Sequence, residues 1–422
     1  MACPLKGQKG ITMNCVHNFD EPINRVNTDS FKWDYEGENG KYIPLGVADT
    51  DFKAPKEIID AVRERVDFGV YAYGYLPQKR FADAVCGWYK KRYDIDLESE
   101  AVRHSQGLMT GALWMILNAY TRPGDKILLQ PPVYNTFSVV IQGAGRFVEN
   151  NNLILKDGRY EIDFEDLDKK TADPKVRILL VCNPANPVGR VWTKEELTKM
   201  YEICKKNNTL IVSDEIHGDI VYAPYKHIPY FSLSEEIGDN VIVMGSPSKS
   251  FNLACFYSAY VVIKNKALRD QYNVVYDDYH FDYNYIGIEA LITAYNDCEY
   301  YVDQQNEYFL KNINIVKKFI AENMPEVKVI EPEATYLLWL DFRAWNMTPF
   351  ELVHLFQDAG VKLNNGANYG KPGNGFIRLN GFFRNYPFLL LFVYLNFASS
   401  NCLPQRPYID LFIIFNLLLV PS

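Results

Sequence analysis

Five side chains in this sequence have the types and settings that chemistry at an amino acid requires. Lys249 lies in Ser246-Pro-Ser-Lys-Ser-Phe-Asn252, a run crowded with hydroxyls. A lysine amine in such a place is a nucleophile toward an aldehyde and, once desolvated, a base. Asp214 closes an apolar run, where a carboxylate can face a cationic ring nitrogen. Asn186 stands in the proline-bracketed turn Asn183-Pro-Ala-Asn-Pro187, and Tyr134 follows Pro131-Pro132. Arg378 lies in Phe376-Ile-Arg-Leu-Asn380, and a guanidinium grips a carboxylate with two parallel hydrogen bonds. Taken singly these are a surface lysine, a helix cap, a turn asparagine, a core tyrosine and a surface arginine. Their joint occurrence, in this order, is the signal.

The elements that must position them can be read from apolar periodicity. Helices are expected over Pro55 to Val66 and Phe81 to Tyr93. Lys126-Ile-Leu-Leu-Gln130, Arg177-Ile-Leu-Leu-Val-Cys182, Leu210-Ile-Val212 and Val241-Ile-Val-Met244 read as buried strands. Thr193 with Glu196 forms a capping-box pattern for a helix reaching about Asn207. Strands alternating with helices predict an α/β domain with a largely parallel sheet. In such sheets ligands bind at the carboxyl ends of the strands, which is where the polar residues fall. Further on, Ala290 to about Asn323 reads as mostly helical, Val327 to Phe342 as two strands around Pro332, Pro349 to Ala359 as helix, and Gly375 to Leu379 as strand.

These groups answer the demands of pyridoxal phosphate (PLP) chemistry: an amine, a carboxylate for the ring nitrogen, a stacking ring, a phosphate cradle and an arginine. At these residues the chain resembles the class I/II aminotransferase superfamily, and within it the MalY/PatB-type carbon–sulfur β-lyases. The motifs are Val47-Ala-Asp-Thr-Asp-Phe-Lys-Ala-Pro55, Asn183-Pro-Ala-Asn-Pro-Val-Gly189, Ser213-Asp-Glu-Ile-His-Gly-Asp219, Ser246 to Ala254, Tyr336-Leu-Leu-Trp-Leu-Asp-Phe342 and Phe376 to Asn380. The resemblance covers about Asn18 to Asn380. The resemblance implies fold type I, with a mostly parallel seven-stranded sheet in a large domain and a smaller α+β domain. It implies that Lys249 carries the cofactor and then acts as the base at Cα. Asp214 pairs with the pyridine nitrogen, Asn186 with the phenolic oxygen, and Tyr134 stacks on the ring. Gly107, Leu108, Met109, Ser246 and Ser248 take the phosphate, joined by Tyr73 from across a homodimer interface, and Arg378 clamps the substrate carboxylate. His217 is expected to pack behind the ring and orient Asp214, without a catalytic role.

The implied division is an N-terminal segment over 1–58 that joins the small domain, a large domain over 59–300, a small domain over 301–380, and a tail over 381–422. The tail departs from the family pattern: it holds three charged residues, Arg384, Arg406 and Asp410, and two apolar runs too short to cross a bilayer. Gly46 stands where the family carries tryptophan.

The bulk composition agrees with a small-molecule enzyme. A net charge of -8 without a basic stripe argues against nucleic acid. The eight cysteines are scattered with no CxxC pair, as expected for reduced thiols in the cytoplasm rather than a metal site or disulfide framework. The leading expectation is β-elimination from cystathionine, cysteine or a similar S-substituted amino acid, giving thiol, pyruvate and ammonia. An aminotransferase, or an inactive or regulatory PLP-binding relative, are the alternatives.

Overall fold

A computed structural model describes residues 16–279 and 283–381. The apolar tail from 382 onward, with Cys3, Cys15 and Cys402, lies outside the described residues. The larger sheet has seven strands: β1 (Val102–Gln106), β2 (Lys126–Leu129), β3 (Phe147–Asn150), β4 (Val176–Cys182), β5 (Leu210–Asp214), β6 (Val241–Gly245) and β7 (Ser258–Val262). Their spatial order is β1-β7-β6-β5-β4-β2-β3. Neighbours from β6 to β3 are parallel, whereas β7 runs antiparallel to both β6 and β1.

Strands β4 to β6 are buried almost throughout, which is why they read as continuous apolar runs instead of alternating ones. Their register decides where the loops behind them begin. Cys182 pairs with Asp214, and Asp214 with Met244, so three adjacent strands end level with one another. The turns behind them therefore open at one edge. The crossover from β4 to β5 is the helix Lys194–Lys206, started by the expected capping box between Thr193 and Glu196.

A second, four-stranded antiparallel sheet contains β8 (Lys328–Ile330), β9 (Leu337–Asp341), β10 (Asn364–Asn365) and β11 (Phe376–Asn380), in the order β8-β9-β11-β10. The mostly helical stretch expected from Ala290 consists of two helices, Tyr285–Asp297 and Glu299–Asn323, broken at Cys298. Positions 58 and 300 both lie inside helices, Lys56–Asp67 and Glu299–Asn323.

The N-terminal segment is sewn onto the second sheet and onto the short stretch that precedes β10, with which it forms a separate two-stranded pair. Ile43 and Pro44 pair with Val361 and Lys362. Asn380 on β11 donates its backbone N–H to Leu45 O at 2.8 Å, and its amide to Val47 O at 2.6 Å and Asp49 O at 2.8 Å. This fixes residues 45–49 as a wall facing the ends of β4 to β6.

Candidate active site

A cavity of about 550 Å³ opens where the level ends of β4 to β6 meet that wall and β11. All but one of the expected site residues line it: Gly107, Leu108, Met109, Tyr134, Asn186, Asp214, Ser246, Ser248, Lys249 and Arg378. Tyr73 is the exception. It is 95% exposed, in a stretch where Phe68, Val70, Tyr71 and Tyr75 are exposed too.

Asp214, Lys249 and Arg378 line the cavity, and none has an opposite charge within ion-pair distance among the described residues. Asp214 is 3% exposed, and its Oδ1 accepts the Ile216 N–H at 3.1 Å. Burial pushes its carboxyl up to about 7, with Glu215 adding to the rise, while the Ile216 N–H and Lys249 oppose it. Lys249 donates from Nζ to the carbonyl of Ala48 at 2.6 Å. Burial brings its amine down to about 8, helped by Arg378 and opposed by Asp49 and Asp214. Arg378 is 3% exposed and donates to Gly46 O at 2.6 Å and Asn186 Oδ1 at 3.1 Å. Its Nε is buried without a partner, and its guanidinium lies 5.1 Å from the Tyr369 ring centre.

Asn186 thus spends its oxygen on Arg378, which leaves its amide nitrogen as a donor. Tyr134 lies edge-on to Phe137, with ring centres 5.6 Å apart. Gly107 precedes a helical run from Leu108 to Tyr120 and has φ +75, in the left-handed region that glycine tolerates. A Cβ there would sit 3.3 Å from the Tyr257 ring, a tight contact that adds to the preference for glycine. The helix start has no side-chain cap, which leaves its N–H groups for an anion. Ser246 donates to Ser258 O at 2.8 Å and accepts from Ser248 N at 3.1 Å.

His217 departs from expectation. It is 2% exposed and lines the cavity, but the Asp214 carboxylate takes its hydrogen bond from the Ile216 backbone, and His217 Nδ1 has no partner among the described residues. Burial, with Lys249 and Arg378 nearby, brings its pKa down to about 3, so the ring is neutral. Its ring packs edge-on against Tyr336, 6.0 Å between centres.

Sequence reasoning missed two contributors. Ser258 lines the cavity with its Oγ buried and unpartnered. Its place comes from strand pairing, since it sits opposite Gln106, next to Gly107. The carbonyl of Ala48 is the acceptor for Lys249, and it also accepts from Tyr336 Oη at 3.0 Å. A backbone oxygen leaves no mark on residue type. Cys182 also lines the cavity, but burial pushes its thiol far up, and its Sγ accepts from Asn186 N at 3.4 Å. It is not a nucleophile.

The sequence profile of the aminotransferase class I and II family matches residues 40–381. The chain belongs to that family. Among its curated relatives, cystathionine β-lyase PatB of Bacillus subtilis is 38% identical over 368 residues, covering 86% of this chain and 95% of PatB. A PLP-bound putative aminotransferase from Clostridium difficile 630 superposes with a TM-score of 0.85 at 35% identity, over 90% of this chain and 98% of that one. Cystalysin of Treponema denticola, a structure containing pyridoxal 5'-phosphate, gives 0.87 at 31% identity, over 92% and 100%. Within the family the chain sits with the PatB and MalY branch.

The cavity of this aminotransferase-family chain fits that cofactor on its own residues. Asp214 lacks a cation, Lys249 sits on an uncharged acceptor, Arg378 lacks an anion, and an uncapped helix start adjoins the unpartnered Ser258 hydroxyl. A protonated ring nitrogen, an aldehyde, a carboxylate and a phosphate complete these groups one for one. Among the described residues no cluster of His, Cys, Asp or Glu could hold a metal ion, and no helix is long and apolar enough to cross a membrane.

Proposed function

We propose that this chain is a PLP-dependent carbon–sulfur β-lyase acting on cystathionine, cysteine or a similar S-substituted amino acid. The observation that carries the reading is the convergence of Lys249, Asp214 and Arg378, each without a counter-ion, in one cavity of a PatB-like chain. When bound, the cofactor supplies an electron sink for the bond electrons at the substrate's Cα.

The protein's own residues do the rest. Arg378, whose Nε is buried without a partner, holds the substrate carboxylate and so fixes the orientation at Cα. Lys249 takes the Cα proton on its ε-amine, whose lowered pKa keeps part of it neutral near pH 7. The Cβ–S bond then breaks, the sulfur group leaves as a thiol, and hydrolysis of the remaining three-carbon fragment gives pyruvate and ammonia. Asp214 holds the ring nitrogen's proton, and Asn186 donates to the ring oxygen. Tyr134 covers the ring face. Gly107, Leu108 and Met109 offer backbone N–H groups to the phosphate, with the Ser246 and Ser248 hydroxyls beside them.

The active form is a cytoplasmic homodimer in this reading. Tyr73 lies outside its own chain's cavity and is 95% exposed, which suits a side chain that completes a neighbour's phosphate site. Cys182 and Cys204 are buried thiols outside any disulfide, in keeping with a reducing compartment.

The deciding experiment gives the purified protein PLP and cystathionine with no keto-acid acceptor. Pyruvate and free thiol should appear in equal amounts over many turnovers. Turnover only when a keto acid is added would replace the lyase by an aminotransferase.

A further inference from the structure

One wall of the cavity is the short helix Phe31–Glu36. It is tightly tethered. Ser30 Oγ caps it by accepting the Trp33 N–H at 3.2 Å. Asp34 accepts backbone N–H groups of Asn27 at 2.7 Å and of Thr28 and Ser30 at 2.9 Å. Lys32 is fully buried and reaches Asp51 at 2.7 Å, while Trp33 Nε1 donates to the same carboxylate at 2.8 Å. Arg25 bridges Asp49 at 2.9 Å and Asp51 at 2.7 Å. The helix is thereby clamped to the strand of chain whose Ala48 carbonyl holds Lys249.

Lys32 and Asp34 are both committed to this clamp. Glu36, the third charge on the helix, is not. It is half-buried and lines the cavity, and its carboxylate makes no hydrogen bond or ion pair with another described residue. The described lining contains just two carboxylates, Asp214 and Glu36, against the cations Lys249 and Arg378. Asp214 belongs to the strand end beneath the cofactor, so Glu36 is the remaining negative charge that a substrate can meet.

The geometry points to Glu36 as a specificity determinant that receives an ammonium group on the sulfur-linked half of the substrate. The favoured class is then the S-substituted cysteine whose leaving thiol carries its own amino group, in preference to neutral S-alkyl cysteines. This rests on the lyase reading. An ammonium turned toward Arg378 or Lys249 would be repelled, and one turned toward Glu36 is neutralised. Asn368 lines the same cavity with no side-chain hydrogen bond to a described residue, and offers an amide to a distal carboxylate.

The test compares the PLP-loaded wild type with Glu36→Gln and Glu36→Lys on cystathionine and on S-methylcysteine. The quantity read is the ratio of the two kcat/KM values. It should fall about tenfold in Glu36→Gln, as for loss of one charge-assisted hydrogen bond. It should fall further in Glu36→Lys, chiefly through KM for cystathionine, and the wild-type preference should shrink as salt is raised. A ratio unchanged in both variants overturns the assignment, and so does an equal loss on both substrates. If the wild type releases thiol from neither substrate, the lyase reading itself fails, an outcome distinct from an unchanged ratio.

Discussion

The two sides of the cavity are built differently. The inner side, with Asp214, Ser246, Lys249 and Gly107, stands on strand ends brought level by β4–β5–β6 pairing and by the β7–β1 register. Its position depends on neighbours in a rigid sheet. The outer side, with Gly46, Ala48, Arg378 and Glu36, is held by contacts between residues some 200 to 330 positions apart, such as Lys249 to Ala48, Arg378 to Gly46 and Asn380 to Val47. The inner side places the group that does chemistry, and the outer side decides which molecule is presented to it. Damage to the inner side should therefore appear in kcat and cofactor capture, and damage to the outer side in KM and selectivity.

The sharpest break is Lys249→Ala. Removing the base should lower kcat by roughly a thousandfold or more, while the fold survives, since only one hydrogen bond to Ala48 is lost. The borohydride-reducible visible absorbance of the PLP-loaded protein should vanish as well. Retention of that absorbance would move the cofactor lysine elsewhere. In the cofactor-free wild type, capture of PLP requires the neutral amine, so its rate should rise as pH passes about 8 and not wait for the ordinary lysine range.

Arg378→Lys tests the outer side at a buried charge. An ammonium cannot reproduce the two-pronged grip, and Gly46 O and Asn186 Oδ1 each lose a donor. A loss of about 3 kcal/mol in kcat/KM is expected, carried mainly by KM. An equal fall in kcat would show that the arginine also positions the reacting bond.

Asp214→Asn separates the sides through pH. Without cofactor, the folded state holds the Asp214 proton up to about 7, whereas an unfolded aspartate loses it near 3.8. Between those values the folded form binds more protons, so this group removes stability as pH rises, by up to about 4 kcal/mol in all. The buried neutral His217 acts in the opposite sense below pH 6.5, so the comparison is with the variant: the melting temperature of cofactor-free Asp214→Asn minus that of the wild type should be larger at pH 7.5 than at pH 5, a change in the pH slope. PLP should stabilise the wild type far more than the variant at pH 7.5. An unaltered slope in Asp214→Asn would mean that the carboxylate is not the buried charge responsible.

The same division explains what is legible in the sequence. Strands β4 to β6 are buried on both faces, so they stand out as apolar runs, and the chemistry-bearing residues come directly behind them. Asp214, Asn186 and Lys249 can thus be read as a set. Arg378 is legible only through its motif, because nothing local distinguishes it from a surface arginine. Ser258 and the Ala48 carbonyl are not legible at all: one depends on antiparallel register with Gln106, the other is a backbone atom. The break at Cys298 is hidden because both flanking helices have apolar faces, and periodicity alone does not mark the change of direction. His217 does not orient Asp214 as expected, because adjacency in sequence does not bring its ring nitrogen to the carboxylate, which the Ile216 backbone reaches instead.

The smallest expected effect probes how the outer side is held. Asn380 is fully buried and ties β11 to Val47 O and Asp49 O, on either side of the carbonyl that receives Lys249. Asn380→Ala leaves both carbonyls short of a donor, at a cost of about 2 kcal/mol in stability. Because Ala48 lies between them, the wall should loosen where it meets Lys249 and Arg378, while Asp214, Ser246 and the β4–β6 ends keep their sheet pairing. PLP capture should therefore stay close to that of the wild type while KM for the amino acid rises severalfold. If capture fell in step with KM, the two sides would be coupled through Ala48 and Lys249, and the wall would belong to the catalytic apparatus as much as to substrate choice.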